Sequence, residues 1–220
     1  MVKNKNLFAE DVDAPVSKTK AFRIIYSSIS YDQQEILEAI RVLFLKNEQF
    51  EMDACFGYGN FYPTKEFPKF CFDLVDRREV NPNLVIGSAM DIPLDPMTVK
   101  SAILDPPFVV TSHVNSKEYV MGEKYGGFKT ITELRKTYYG MLIEHYRVLK
   151  RGGILVFKCQ DFIHGKKSYF ISNEIYDYAR AMGFKPIDKF ILLSKNRFTG
   201  DLHKQQHARK FHCDFWVFQK

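Results

Sequence analysis

Ser101-Ala102-Ile103-Leu104-Asp105-Pro106-Pro107-Phe108 is the stretch on which the reading of this chain turns. Its first four residues are small or apolar and read as a buried parallel strand, since strands covered on both faces lose the polar alternation of half-exposed ones. The run then meets a carboxylate and two prolines. Proline lacks an N–H, fixes its own φ and biases the preceding residue toward extended backbone, so no strand ladder continues through Pro106-Pro107. The strand therefore ends on Asp105, with the ring of Phe108 just beyond it.

Outward from this strand, apolar periods of two kinds alternate. Toward the amino terminus, Ile36, Leu37, Ile40, Leu43 and Phe44 recur at helical spacing behind Asp32 as a cap, and strands follow at 50–54, 69–74 and 84–86. Beyond the glycine-bearing loop 109–128, Thr130 and Glu133 form a capping box. They open an amphipathic helix with Leu134, Tyr138, Met141, Leu142, His145, Val148 and Leu149 on one side, and Lys150-Arg151-Gly152-Gly153 is its stop. A strand at 154–158, a helix at about 170–182 and strands at 185–193 and 210–218 complete the series. Strands alternating with helices predict an α/β fold, a mostly parallel seven-stranded sheet with helices on both faces. The last two strands, joined by a loop too short for a helix, are expected as an antiparallel hairpin at one edge.

At 220 residues the chain suits one domain, taken as 23–220, behind a charged amino-terminal arm at 1–22. Hydrophobic residues at 45% and aromatic ones at 15% exclude a disordered chain. A net charge of +6 points toward a polyanionic partner, with ordinary solubility as the plainer account. Cys55, Cys71, Cys159 and Cys213 are far apart and lie in or beside apolar runs, the pattern of free thiols in a reducing compartment. Without an apolar run of membrane-spanning length or a signal-peptide core, a cytoplasmic location is expected.

The chemistry gathers at strand ends. A carboxylate at Asp105 and a carbonyl at Pro106 held clear of any ladder suit the N–H groups of an exocyclic amine, and Phe108 suits the face of its ring. Asp53-Ala54-Cys55-Phe56-Gly57-Tyr58-Gly59 follows an earlier strand, where Gly57 and Gly59 let a ligand approach the backbone and Asp53 is a strand-end acid. Asp73, about 20 residues on, is placed to take ribose hydroxyls. Gly87-Ser88-Ala89-Met90-Asp91 follows the next strand and is positioned to clasp an adenine ring, through Ser88, Met90 or Asp91. A dinucleotide site calls for a third glycine, and Tyr62 stands there. A cofactor without phosphates, S-adenosylmethionine, fits better.

These motifs resemble those of the class I S-adenosylmethionine-dependent amino-methyltransferases that modify adenine N6 or cytosine N4 in nucleic acid. Asp53 to Gly59 is similar to the family's D-P-F-x-G-x-G except at Ala54 and Cys55, and Asp105 to Phe108 matches its D/N/S-P-P-Y/F/W. The run from Arg147 to Gly153 is similar to its R-V-L-K-P-G-G turn. The resemblance implies a single Rossmann-like domain. It implies methyl transfer to a nucleobase amine, adenine N6 in DNA ahead of RNA or cytosine N4, with Asp105, Pro106, Pro107 and Phe108 as catalytic residues. Cofactor binding is then expected of Asp53, Ala54, Gly57, Gly59, Asp73, Ser88, Met90 and Asp91. A non-catalytic nucleic-acid-binding subunit is the alternative of another class.

Family members with this motif order carry a large target-recognition domain, for which the chain has no room. Recognition then falls to loops, to a protein partner or to a second copy. The loop with His113, Asn115, Lys117 and Lys124 is one candidate. The basic segment with Lys195, Arg197, Lys204, His207, Arg209 and Lys210 is another, suited to phosphates. Lys158 and Gln160, ending the strand beside Asp105, are also expected to face the substrate. His207 and His212 lack ligand-type neighbours, so no metal is expected.

Overall fold

The computed structural model describes residues 25–110, 126–195 and 206–220. The proposed arm at 1–22 lies outside them. Ten strands are present among the described residues: β1 (Ile29–Ser30), β2 (Met52–Asp53), β3 (Phe70–Asp73), β4 (Val85–Ile86), β5 (Val99–Leu104), β6 (Leu149–Cys159), β7 (Phe162–His164), β8 (Lys167–Tyr169), β9 (Lys185–Leu193) and β10 (His212–Gln219). Three helices accompany them, α1 (Gln33–Phe44), α2 (Ile131–Val148) and α3 (Ile171–Met182).

Eight strands form one sheet in the order β1-β9-β10-β6-β5-β2-β3-β4, all parallel except β10, which runs against both neighbours. The expected count of seven is corrected by β1, a two-residue strand that pairs in parallel with β9. The closing hairpin is also not the edge. β10 inserts between β6 and β9, and β1 then pairs with β9, with Ile191 N donating to the Ser28 carbonyl at 2.7 Å. This covers groups that an exposed edge leaves unpaired.

Alternation along the central strands divides the core. Ala102, Leu104, Leu155 and Phe157 meet Leu134, Tyr138 and Leu142 of α2 and Ile175 and Ala179 of α3 on one face. Ile103, Ile154, Val156, Phe215 and Val217 meet Ile36, Leu37 and Ile40 of α1 on the other. Both helix starts follow the sequence chemistry: Asp32 Oδ1 accepts from Gln34 N at 2.8 Å, and Thr130 Oγ1 accepts from Glu133 N at 3.1 Å. The expected alternation of strand and helix fails between β2 and β5, where no connection contains a helix. Instead Phe56, Phe61, Tyr62 and Phe67 of the β2–β3 connection pack ring against ring beside α1, and Pro63 and Pro68 fit this loop better than a helix.

Candidate active site

The carboxyl ends of β2, β3, β5 and β6 open into a cavity of about 550 Å³. Such crevices are where open parallel sheets bind ligands. Its wall includes Ala54, Gly57, Asp73, Ala89, Asp105, Pro106, Pro107, Phe108 and Lys158, so the glycine turn and the Asp-Pro-Pro-Phe stretch line one space.

Strand register sets the target end of this cavity. Leu104 lies opposite Phe157 in the parallel β5–β6 pair, which brings the next residues, Asp105 and Lys158, side by side. Lys158 Nζ donates to Asp105 Oδ2 at 2.9 Å and to Gln33 Oε1 at 3.2 Å. Its ammonium also lies 5.3 Å from the Phe61 ring centre and 5.5 Å from that of Phe215. The lysine side chain is 11% exposed and the aspartate 26%, so the acid faces the cavity over a shielded base. Pro107 is anchored from the opposite side, its carbonyl accepting from Tyr138 Oη at 2.7 Å. No donor among the described residues takes the Pro106 carbonyl.

At the other end, acids shape the backbone. Asp73 Oδ2 accepts from Gly57 N at 2.7 Å and its Oδ1 from Val75 N at 2.8 Å. Asp53 is fully buried and takes Tyr62 Oη at 2.8 Å and Cys55 N at 3.0 Å. Burial pushes its carboxyl up to about 7 despite these bonds. The two glycines divide the work. A side chain at Gly57 would meet only the Cys55 carbonyl, at 3.9 Å, whereas one at Gly59 would lie 3.0 Å from the Phe56 ring. Both have positive φ, yet Gly57 faces the cavity and Gly59 serves the aromatic turn.

Several of the expected contact residues lie outside the lining of this cavity. Ser88 Oγ accepts from Met90 N, and Ser88 pairs with Asp91 in an isolated bridge. Met90 lies over Gly140 of α2, and of this segment only Ala89 lines the cavity. His207, Arg209 and Lys210 flank the β7–β8 hairpin beyond the end of β6, and Lys195 is exposed. Gln160 donates to the Lys210 carbonyl at 3.1 Å. Arg197, Lys204, His113, Asn115, Lys117 and Lys124 lie outside the described residues.

The sequence reading missed Tyr58 and Arg77, which line the cavity as a pair: the guanidinium lies 4.0 Å from the ring centre and donates to Tyr58 Oη at 2.8 Å. Nothing in their spacing announces the contact. The four cysteines are free, and burial pushes Cys71 up to about 12 and Cys213 to about 11, so these two are not activated thiols. Among the described residues no group of side chains suits a metal ion, and no helix is long and apolar enough to cross a membrane.

No protein-family model matches the chain, and neither does any curated protein. Solved structures do. TrmN from Thermus thermophilus is 13% identical, with a TM-score of 0.50, over 85% of this chain and 48% of that one, so this chain spans about half its length. A SAM-dependent methyltransferase from Thermotoga maritima is 17% identical, with a TM-score of 0.48, over 83% of this chain and 89% of that one. The 1,6-didemethyltoxoflavin-N1-methyltransferase of Burkholderia thailandensis, bound to 1,6-didemethyltoxoflavin and S-adenosylhomocysteine, is 14% identical, with a TM-score of 0.48, over 83% and 76%. At these identities the likeness is one of fold. The order β4-β3-β2-β5-β6-β10-β9, parallel but for one reversed strand, is a Rossmann-like α/β arrangement.

Proposed function

We propose that this chain is an S-adenosylmethionine-dependent methyltransferase acting on the exocyclic amine of a nucleobase, with adenine N6 in DNA the foremost substrate. The observation that carries the reading is that Asp105 and the bare Gly57 turn line one cavity. Its volume of about 550 Å³ falls within the 300–1,000 Å³ of small-molecule sites. The residues fit the cofactor: Gly57 presents bare backbone to the cavity, Ala54 lines it beside that turn, and no third glycine asks for a pyrophosphate. Asp73 also fits, because a carboxylate has about four acceptor sites and the Gly57 and Val75 N–H groups use two, leaving capacity for ribose hydroxyls. Ala89, rather than Ser88, Met90 or Asp91, is the wall for adenine.

Bound S-adenosylmethionine supplies an electrophilic methyl group on a sulfonium. The target amine is a poor nucleophile because its lone pair delocalises into the ring. Asp105 and the Pro106 carbonyl each accept one amine N–H, which favours a tetrahedral nitrogen and directs the lone pair at the methyl. Lys158 holds Asp105 Oδ2, so Oδ1 is the oxygen that turns to the amine. Phe108 stacks on the base. The amine proton hydrogen-bonded to Asp105 would be the one lost after transfer, passing to the carboxylate and from there to solvent. Alignment and fixed charge supply the rate, and a base inside a duplex must be flipped out to reach this pocket.

The test is incubation with methyl-labelled S-adenosylmethionine and separate DNA and RNA, followed by digestion and identification of the labelled nucleoside. Asp105→Ala is expected to slow transfer on the order of 10³-fold while cofactor affinity stays within about twofold. Equal rates in variant and wild type remove Asp105 from the chemistry. Cofactor binding with no nucleoside labelled removes the nucleobase reading and favours a nucleic-acid-binding subunit or another acceptor.

A further inference from the structure

Beyond Lys158, β6 leads into a hairpin that the sequence reading did not contain. β7 and β8 pair with His164 opposite Lys167, leaving Gly165 and Lys166 as a two-residue turn. Both have positive φ, 54° and 62°, the type I′ geometry whose twist matches a two-residue hairpin. Lys166 and Lys167 stand exposed at its tip. Phe162 and Tyr169 stack across its base with ring centres 5.7 Å apart.

A second basic segment is stapled to this hairpin. The imidazole of His207 bridges it, with Nε2 2.7 Å from the Lys166 carbonyl oxygen and Nδ1 3.4 Å from Ser168 Oγ. With Gln160 bonded to the Lys210 carbonyl, these contacts hold exposed Arg209 and half-buried Lys210 alongside Lys166 and Lys167. The Lys210 ammonium lies 5.2 Å from the ring centre of Phe170, which is 52% exposed.

This surface gathers cations from two segments that carry no acid of their own. Arg135, Arg147, Lys158 and Lys189 each pair with an acid. Among the described residues no acid pairs with Lys166, Lys167, Arg209 or Lys210, and neither 162–170 nor 206–212 contains one. The acids nearest in sequence are turned elsewhere: Asp161 accepts from Ser172 N at 2.9 Å, Glu174 takes Arg135 through two bonds of 2.7 Å, and buried Asp214 lies 3.8 Å from Lys189 Nζ. Gathered cations with no internal counter-charge match a polyanion, and an exposed ring among them suits a base more than a purely ionic partner.

We infer that the β7–β8 hairpin and the 206–210 segment stapled to it form a phosphate-binding platform for the backbone of the target strand. Phe162 begins four residues after Lys158, roughly 13 Å of extended chain, so the platform adjoins the amine pocket. Contacts of this kind fix register and orientation without reading sequence. The platform rests on the nucleobase reading above.

The test uses the full chain, with mixed-sequence single-stranded DNA, its duplex and RNA of the same sequence as probes, in fluorescence anisotropy across a salt series. Lys166→Asn combined with Lys167→Gln removes both tip charges, and asparagine tolerates the left-handed turn position. Arg209→Gln is the second variant, and calorimetric binding of S-adenosylmethionine reports on the intact fold. The double variant is expected to bind single-stranded probe at least tenfold more weakly, with the salt slope reduced by about 1.4, two phosphates at about 0.7 each. Cofactor affinity is expected to hold. Unchanged affinity and slope in both variants overturn the platform even when wild type methylates nucleic acid. Wild-type binding that the variants lose, without any methyl transfer, keeps the platform and removes the nucleobase reading. A wild-type chain that binds none of the probes overturns both.

Discussion

Asp73 at the end of β3 and Asp105 at the end of β5 line the same cavity, yet they are held in opposite ways. Asp73 commits both oxygens to backbone N–H groups, Gly57 and Val75, and so fixes the turn that faces the ligand. Asp105 gives one oxygen to a lysine side chain, and its other oxygen has no partner among the described residues. Hydrogen bonds to a charged group are worth about 1.5–3 kcal/mol each. One half of the cleft is therefore a backbone shape stiffened by acids, and the other is an acid held ready for an incoming N–H. A cofactor common to every turnover suits the first arrangement. A target that must enter and leave suits the second.

The comparison is broken most severely at Asp73. Asp73→Ala strands two N–H groups at the turn and is expected to weaken S-adenosylmethionine binding about 100-fold, with roughly 2–3 kcal/mol lost from folding stability. Calorimetry and denaturant titration check this. Cofactor affinity that survives the change would show that Gly57 holds its place without the acid.

Lys158 tests the opposite half. Lys158→Met keeps the stem beside Phe61 and Phe215 but frees Asp105 Oδ2, and is expected to lower kcat about tenfold while leaving cofactor affinity within about twofold. Single-turnover transfer with saturating cofactor reads the effect, and Lys158→Arg should recover part of it. A loss confined to KM would make Lys158 a substrate contact, as its position beside Asp105 first suggested, rather than a positioning residue.

The smallest effect concerns pH and belongs to the β2 end. Burial raises the Asp53 carboxyl from 3.8 to about 7, so the folded chain favours its protonated form and its ionisation becomes costly as pH rises through that range. A cation in the neighbouring cavity favours the ionised form. Binding of S-adenosylmethionine is therefore expected to strengthen a few-fold as pH rises through about 7, and S-adenosylhomocysteine, without the sulfonium charge, should give a flatter profile. Tyr62→Phe removes a bond that lowers the Asp53 pKa and should move the midpoint upward. Profiles that coincide for the two ligands would disconnect Asp53 from the bound charge.

Much of this arrangement was legible in the chain. Asp105-Pro106-Pro107-Phe108 reads as a strand end because prolines stop a ladder wherever they fall, and β5 does end at Leu104. The α2 face was equally plain: Leu134, Tyr138, Met141, Leu142, His145 and Val148 are all buried, at the helical spacing that marks them. His145 makes a less obvious point. Burial pushes it down to about 4, with Nδ1 2.7 Å from the Met141 carbonyl oxygen, so it sits neutral in the core and away from chemistry. The β7–β8 hairpin escaped because strands of three residues have too short a period to detect. The expected contact of Ser88, Met90 and Asp91 with adenine was read from a loop taken as a unit, and which of its residues line the cavity, Ala89 among them, depends on how the loop folds around its Ser88–Asp91 bridge.

The sequence by itself determined the strand ends, the helix caps and the α/β class, because each depends on neighbours within a few residues: a ring that fixes φ, a hydroxyl that caps an N–H, a period that matches a helix. The tertiary structure alone decided that Lys158 grips Asp105, that Asp73 shapes Gly57, that Gly59 packs against aromatic rings and that His207 staples two basic segments. Those pairings join residues 16 to 53 positions apart in three of the cases with polar contacts. Strand register and loop closure bring them together, and no local pattern in the chain encodes which partner each will meet.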